Sequence, residues 1–390
     1  MIKVNPILFY VFVFGLIVFT VISASFWSGG ISGGKMLLSF VFLETVCLFT
    51  LIINANRLLK VRPLILLALL WFLTVPFIVV LSRGSLFDLL SVILWPLCLL
   101  TTYVFVKYNS HYFTILLKAF ILIFCIGVVF FLMHRLDSGR NPHIIDVLTQ
   151  QRTNIIYFPL LTLPWLLCIK NKYLKNILFL SLFAIVVFSL KRSAILVMLV
   201  MLIPFVKTNA KVFQKYKVFN AVIFLLFFSF FGYAFYKVNE IVGAGAVSRI
   251  AAMSEDQGSS RIGIYEEVID LQLSAGLPEW IMGHGHFGVS KTISWEMSAH
   301  NDFLEVLFNY GTILFLLYLS LWFIVLLQMK KLYSLRSPLF LAYLSSISIF
   351  FIFSMVSHLI LYPSYFIYIV SFWGGIQALQ EKSPTIGSEH

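Results

Sequence analysis

His300-Asn301-Asp302-Phe303-Leu304-Glu305 closes the one long polar stretch, residues 237–310, of an otherwise greasy chain. An imidazole titrates near neutrality and can take a proton from a hydroxyl, which makes His300 the leading candidate for a general base; a hydrogen-bonded structural histidine is the plainer reading of the same residue. Phe303, Val306, Leu307 and Tyr310 recur at helical spacing after it, so a helix is expected from Asn301 to a break at Gly311. Upstream, Arg261 precedes Ile264, Val268 and Leu271, also at helical spacing, with Ser259 or Ser260 as the N-cap. A cation in a first turn meets the positive end of the helix dipole. Arg261 is therefore either an anion-holding group or an ordinary surface arginine.

Gly283-His284-Gly285-His286-Phe287-Gly288 has dinucleotide-type glycine spacing without any strand–helix–strand context. It reads as a tight turn that brings backbone close to a ligand. His284 and His286 lack third and fourth partners at ligand spacing, so no metal site and no cofactor is expected. Two further charged positions fall inside apolar sequence. Lys191-Arg192-Ser193 separates the runs 177–190 and 194–206, and Glu44 lies within 36–53. Charges at such depth face a wet cavity or a partner. The basic pair is read as the recessed tip of a helical hairpin, against the alternative that both side chains snorkel to the interface. Glu44 is equally a functional carboxylate or a counter-charge for a recessed arginine.

The elements that position these groups are membrane spans. The chain of 390 residues is 61% hydrophobic and 11% charged, less than half the charged share of a soluble domain. Polar breaks divide it into about twelve runs long enough, or nearly so, to cross hydrocarbon: 7–26, 36–53, 63–81, 89–106, 114–133, 155–169, 177–190, 194–206, 218–236, 311–329, 339–360 and 364–379. The expected fold is all-α: one integral membrane domain over 1–390, a polytopic helix bundle with a single long loop, 237–310, that contains short helices. The first run follows Lys3 and is long for a signal sequence, so an uncleaved span is expected. The four cysteines all fall within spans and define neither disulfides nor zinc. Of the net +12 charge, much sits in short loops, at Arg57/Lys60/Arg62, Lys170/Lys172/Lys175, Lys207/Lys211/Lys215/Lys217 and Lys330/Lys331/Arg336. That distribution speaks for cytoplasmic loops and against a nucleic-acid groove. Both termini then lie in the cytoplasm, and 134–154 and 237–310 on the other side.

These residues also carry a family pattern. His300-Asn301, nine residues, then Gly311-Thr312 resembles the signature of the bacterial O-antigen ligase and polymerase superfamily. Ser259-Ser260-Arg261 with Tyr265 is similar to its Ser-Gly-Arg segment, Gly283-His284-Gly285 to its Gly-x-Gly turn, and Ser189 to Ser193 to its basic turn between central spans. The likeness covers about 180–330. Leu314 and Ser260 depart from the ligase form, and the stretch around His300 looks closer to the polymerase branch.

The resemblance implies a GT-C type glycosyltransferase of the bacterial inner membrane with an extracytoplasmic, periplasmic active site. Its donor would be a glycan on undecaprenyl pyrophosphate and its acceptor a lipid-linked repeat unit or, for a ligase, the lipid A core. His300 would be the base, and Arg192, Arg261, Lys191 and Arg249 would hold the pyrophosphate. Asn301, Tyr265, His284 and Glu44 are further candidates for substrate contact, with Trp280 and Trp295 for sugar stacking. The lipid bilayer and a chain-length regulator are the implied partners, and nucleic acid is not. From another class, a lipid-linked glycan transporter or flippase also fits many spans with intramembrane charges, although no internal repeat is visible.

Overall fold

The computed structural model describes residues 5–27, 32–55, 62–140, 153–189, 191–215, 229, 261–294 and 296–382. Those residues are mostly helical. The order is α1 (Pro6–Trp27), α2 (Gly33–Ile53), α3 (Pro63–Leu81), α4 (Leu86–Tyr108), α5 (His111–Arg140), a 3-10 turn (Thr153–Ile156), α6 (Tyr157–Leu161), α7 (Leu163–Leu167), α8 (Lys172–Ser189), α9 (Arg192–Lys215), α10 (Arg261–Ser274), α11 (Leu277–Met282), α12 (Gly288–Thr292), α13 (Asp302–Ser334), α14 (Phe340–Val356) and α15 (Pro363–Lys382).

Among the described residues seven helices, α1 to α5, α8 and α13, are long and apolar enough to cross a membrane. Shorter apolar helices cover Asn154–Leu167, Ser193–Val206 and Phe340–Val356. The all-helical architecture matches the expected one, with two local differences. The runs read as 177–190 and 194–206 are longer helices, because helical hydrogen bonding continues through Lys172 to Asn176 and past Val206, where hydropathy falls but nothing breaks the backbone. The run 155–169 is divided into short pieces, with Pro159 inside the first short helix and Pro164 near the start of the second, and each proline lacks the donor a continuous helix needs. The span read from Gly311 follows directly on the loop helix that starts at Asp302, and the expected break between them is a kink with non-helical φ/ψ at Gly311. The expected span 218–236 lies outside the described residues.

Helix α3 shows how lipid and core divide one helix. Leu66, Leu70, Leu73, Phe77 and Val80 form an exposed stripe, while Leu64, Leu67, Ala68, Trp71, Val75 and Ile78 are buried. Both faces are apolar, which suits a helix with protein on one side and hydrocarbon on the other. Helix α4 is the inner helix, packed against α2, α3 and α15. Its contact with α15 is backbone-close: a Cβ on Gly374 would stand 2.4 Å from the Leu99 carbonyl oxygen. Only a glycine permits that approach. Helix α13 packs on α3 and α14 and carries α10, α11 and α12 on its first turns, so the candidate site is built where the span bundle meets these short helices.

Candidate active site

His300 sits at the turn into α13 with φ of 52°, a left-handed conformation that costs a non-glycine residue roughly 1–2 kcal/mol. The residues around it hold that turn. Asn301 is the N-cap: its Oδ1 accepts hydrogen bonds from Phe303 N at 2.9 Å and Leu304 N at 3.3 Å. Glu305 reaches back to accept from Ala299 N at 2.6 Å and also accepts from Asn309 Nδ2 at 2.8 Å. The apolar face expected for this helix is only half right. Val306 and Tyr310 are buried, but Asp302, Glu305 and Asn309 are buried with them, each with a hydrogen-bonding task. Phe303 and Leu307 are merely half-buried.

The kink at Gly311 fixes how the Gly283–Gly285 turn is placed. Gly283 and Gly311 have φ/ψ of 76°/−179° and 73°/−177°, a region essentially reserved for glycine. A Cβ on Gly311 would lie 2.2 Å from Ile281 O, and one on Gly283 would lie 2.4 Å from Asn309 O. His284 N donates to Phe308 O at 2.8 Å and Gly285 N to Asn309 O at 2.9 Å. The carbonyls just before the kink are thus satisfied by the loop. The backbone that this turn approaches is that of the protein's own helix. His284 stacks on Phe308 at 4.0 Å, with its pKa lowered by burial. His286 shares a 2.6 Å hydrogen bond with Tyr310 and faces Asp88 at 3.7 Å. Its pKa is pushed down to about 4, chiefly by burial. Both histidines serve the packing of this corner.

A second segment completes the site and had no role in the sequence reading: the turn between α14 and α15. Asp302 is fully buried and accepts from Leu359 N at 3.1 Å, Ile360 N at 3.3 Å and the Ser354 hydroxyl at 3.0 Å. The neighbouring His358 stacks on His300, ring centroids 4.8 Å apart. Arg261 Nη1 donates to Val356 O at 3.0 Å. The Lys191 ammonium lies 5.5 Å above the Tyr157 ring, and the Tyr157 hydroxyl shares a 2.8 Å hydrogen bond with Ser193. Arg261 and Lys191 are near enough to act electrostatically on His300 and on each other. The His300 pKa is pulled down to about 3, first by burial and then by His358, Arg261 and Lys191. Lys191 is pulled down to about 8 by burial and by Arg261. The sequence signal for His358 was weak: one polar pair, Ser357-His358, near the end of an apolar run.

The structure thus gathers His300, Arg261 and Lys191 from three separate parts of the chain. Arg192 opens α9 next to Lys191; its side chain, together with Arg249, Trp295, Ser259 and Ser260, lies outside the described residues. The remaining candidates stand apart or are otherwise occupied. Tyr265 packs on the small apolar cluster of Ile264, Val268 and Phe308. Trp280 lines an apolar hollow of about 100 Å³ with Val268, Gln272, Leu273, Leu304 and Leu307. Glu44 is buried in α2 beside Cys47 and Cys98, and its Oε1 has no hydrogen-bond partner among the described residues. Among the described residues no arginine meets it.

Chemically, the cluster offers two cations beside one neutral imidazole. Such a set can neutralise an anionic leaving group and take a proton from a hydroxyl. Residues 177–319 match the family model described as O-antigen ligase. The matched stretch contains His300, Arg261, Lys191 and both glycines of the kink, and supports the O-antigen ligase and polymerase superfamily for this integral membrane protein. No curated protein and no solved structure matches the chain.

Proposed function

We propose that the chain is a surface-polysaccharide polymerase. It transfers a growing glycan from undecaprenyl pyrophosphate to a lipid-linked repeat unit at the periplasmic face of the inner membrane, with inversion and without a metal. The observation that carries this reading is the convergence of Lys191 and Arg261 on His300. The acceptor oxygen attacks the anomeric carbon as the bond to the pyrophosphate oxygen breaks. The hydroxyl proton passes to His300, and the electron pair leaves on undecaprenyl pyrophosphate. Arg261 and Lys191, with Arg192 and Arg249, offset that charge.

A pKa of about 3 makes His300 a weak base in the free protein. A pyrophosphate seated against Lys191 and Arg261 cancels the two cationic contributions, leaving burial and His358. The ring therefore gains basicity when donor is bound.

The ligase reading has one specific support, the description of the matched family model; Leu314 and Ser260 support the polymerase. A chain-length regulator is the expected partner of a polymerase. The test is reconstitution of purified protein, without added metal, with lipid-pyrophosphate-linked repeat units. Wild type should yield oligomers, and Arg192→Ala, Arg261→Ala and His300→Ala should not. Transfer only to lipid A core would establish the ligase. No transfer to either acceptor, or full activity of His300→Ala, would overturn the proposal.

A further inference from the structure

The loop that carries His300 wraps around a second histidine. Ser298, two residues before His300, shares a 2.8 Å hydrogen bond with His358 Nε2. Asp302, two residues after His300, places Oδ1 3.7 Å from His358 Nδ1. The same carboxylate is anchored by Leu359 N, Ile360 N and the Ser354 hydroxyl. Ser354 in turn accepts from the Tyr318 hydroxyl at 2.9 Å, so the carboxylate is tied to the middle of α13. His358 is 4% exposed and Asp302 is 0% exposed. One ring is thus gripped from both sides by the residues that flank the candidate base, and its face lies against that base at 4.8 Å and 28°.

The geometry points to His358, backed by the Asp302 carboxylate, as a positioning residue for His300. It holds the His300 ring in its left-handed turn, aligned to take the proton of the acceptor hydroxyl. This rests on the reading of His300 as the base.

Three features carry it. First, the Ser298 hydroxyl pairs with His358 Nε2, and when it donates there the ring proton stands on Nδ1, the edge that faces Asp302. Second, Nδ1 is buried with no hydrogen-bond partner among the described residues. Leaving a polar atom unmatched in the interior is unfavourable, and the nearby carboxylate compensates through charge. Third, the His358 ring lies against the face of His300, centroids 4.8 Å apart at 28°, and so limits how far that ring can swing. An imidazole left free to swing would lose the alignment that proton transfer requires, and misplacement of a catalytic group by about 1 Å can cost on the order of 100-fold in rate.

The test uses full-length purified protein and, as donor, the lipid-linked glycan that accumulates in cells lacking the gene. His358→Phe keeps a stacking ring and loses both polar contacts. His358→Gln can still accept from Ser298 and donate toward Asp302. We expect His358→Phe to lower kcat roughly tenfold or more while KM for the donor stays within about twofold, and His358→Gln to recover part of that loss. Melting temperatures in detergent should stay close to wild type. A wild-type kcat in His358→Phe would overturn the inference, as would parallel loss of kcat, KM and melting temperature in both variants. If His358→Phe fails to fold, His358→Gln decides: reduced kcat at unchanged KM supports the role, and wild-type kcat removes it. An active His300→Ala would sink the base reading itself. An inactive His300→Ala beside a fully active His358→Phe would sink only this inference.

Discussion

Lys191 offers a prediction whose size follows from its surroundings. Burial and the neighbouring Arg261 bring its pKa from 10.5 to about 8. In the free protein Lys191 is therefore charged at neutrality and loses its proton as pH rises through about 8, far earlier than a solvated lysine. An anion seated beside it favours the charged form and raises the pKa again. Full restoration to 10.5 would be worth at most ~3 kcal/mol from this one side chain. The sign follows directly. Affinity for a pyrophosphate ligand is flat below about pH 8 and weakens above it, approaching tenfold for each further pH step.

His300, near 3, is already neutral across this window. A pyrophosphate carrying a sugar on one side and a short prenyl chain on the other has no titration between pH 7 and pH 10, so it is the ligand of choice. Its binding to purified protein, measured by intrinsic fluorescence at stepped pH, should show the slope in wild type. Lys191→Met should bind more weakly at pH 7 and show no slope, and Lys191→Arg should bind with none. A flat wild-type profile, or a slope that survives Lys191→Met, would refute the placement of this lysine against the anion.

Gly311→Ala forces a side chain into a glycine-only conformation with its Cβ 2.2 Å from Ile281 O. It should destabilise the α11–α13 corner by about 3 kcal/mol or more and lower the detergent melting temperature, whereas Gly33→Ala, with nothing within 4 Å, should not. His286, buried and pushed down to about 4, must gain a proton on unfolding once the pH falls below the ordinary value of 6.5. Its contribution to stability is complete above 6.5 and is lost as pH falls toward 4. His286→Phe should therefore lose less melting temperature than wild type between pH 6.5 and pH 4.5, and an equal loss in both proteins would contradict the assignment.

Several parts of this protein were legible from local chemistry. Apolar runs of span length require helices, because hydrocarbon offers no partner for free backbone groups. A helix starting near Asn301, Gly311 as a break and the helix beginning near Arg261 follow from short-range preferences of residue types, and all three are found, with Asn301 as the cap just before the first helical residue. His300 stood out because it ends the polar stretch, and Arg261 and Lys191 because cations are scarce beside apolar sequence.

What tertiary structure alone decided concerns which distant residues meet. Hydropathy cannot separate the inner α4 from the lipid-edged α3, since bilayer and core are both apolar and neither leaves an amphipathic trace. It cannot show that Gly283 and Gly311 meet backbone to backbone, because that approach is a property of two helices crossing. Asp302 reads locally as a first-turn acid, yet the chain ends that it holds, Leu359 and Ile360, lie 57 and 58 positions away. His358 reads as a stray polar residue near the end of a span, and only the packing of α14 beside α13 turns its ring onto His300. Local preference is carried by adjacent residues and survives in a one-dimensional string. A site assembled from the ends of separate spans depends on how those spans cross, and that is set by the sum of many apolar contacts with no signature at any single position.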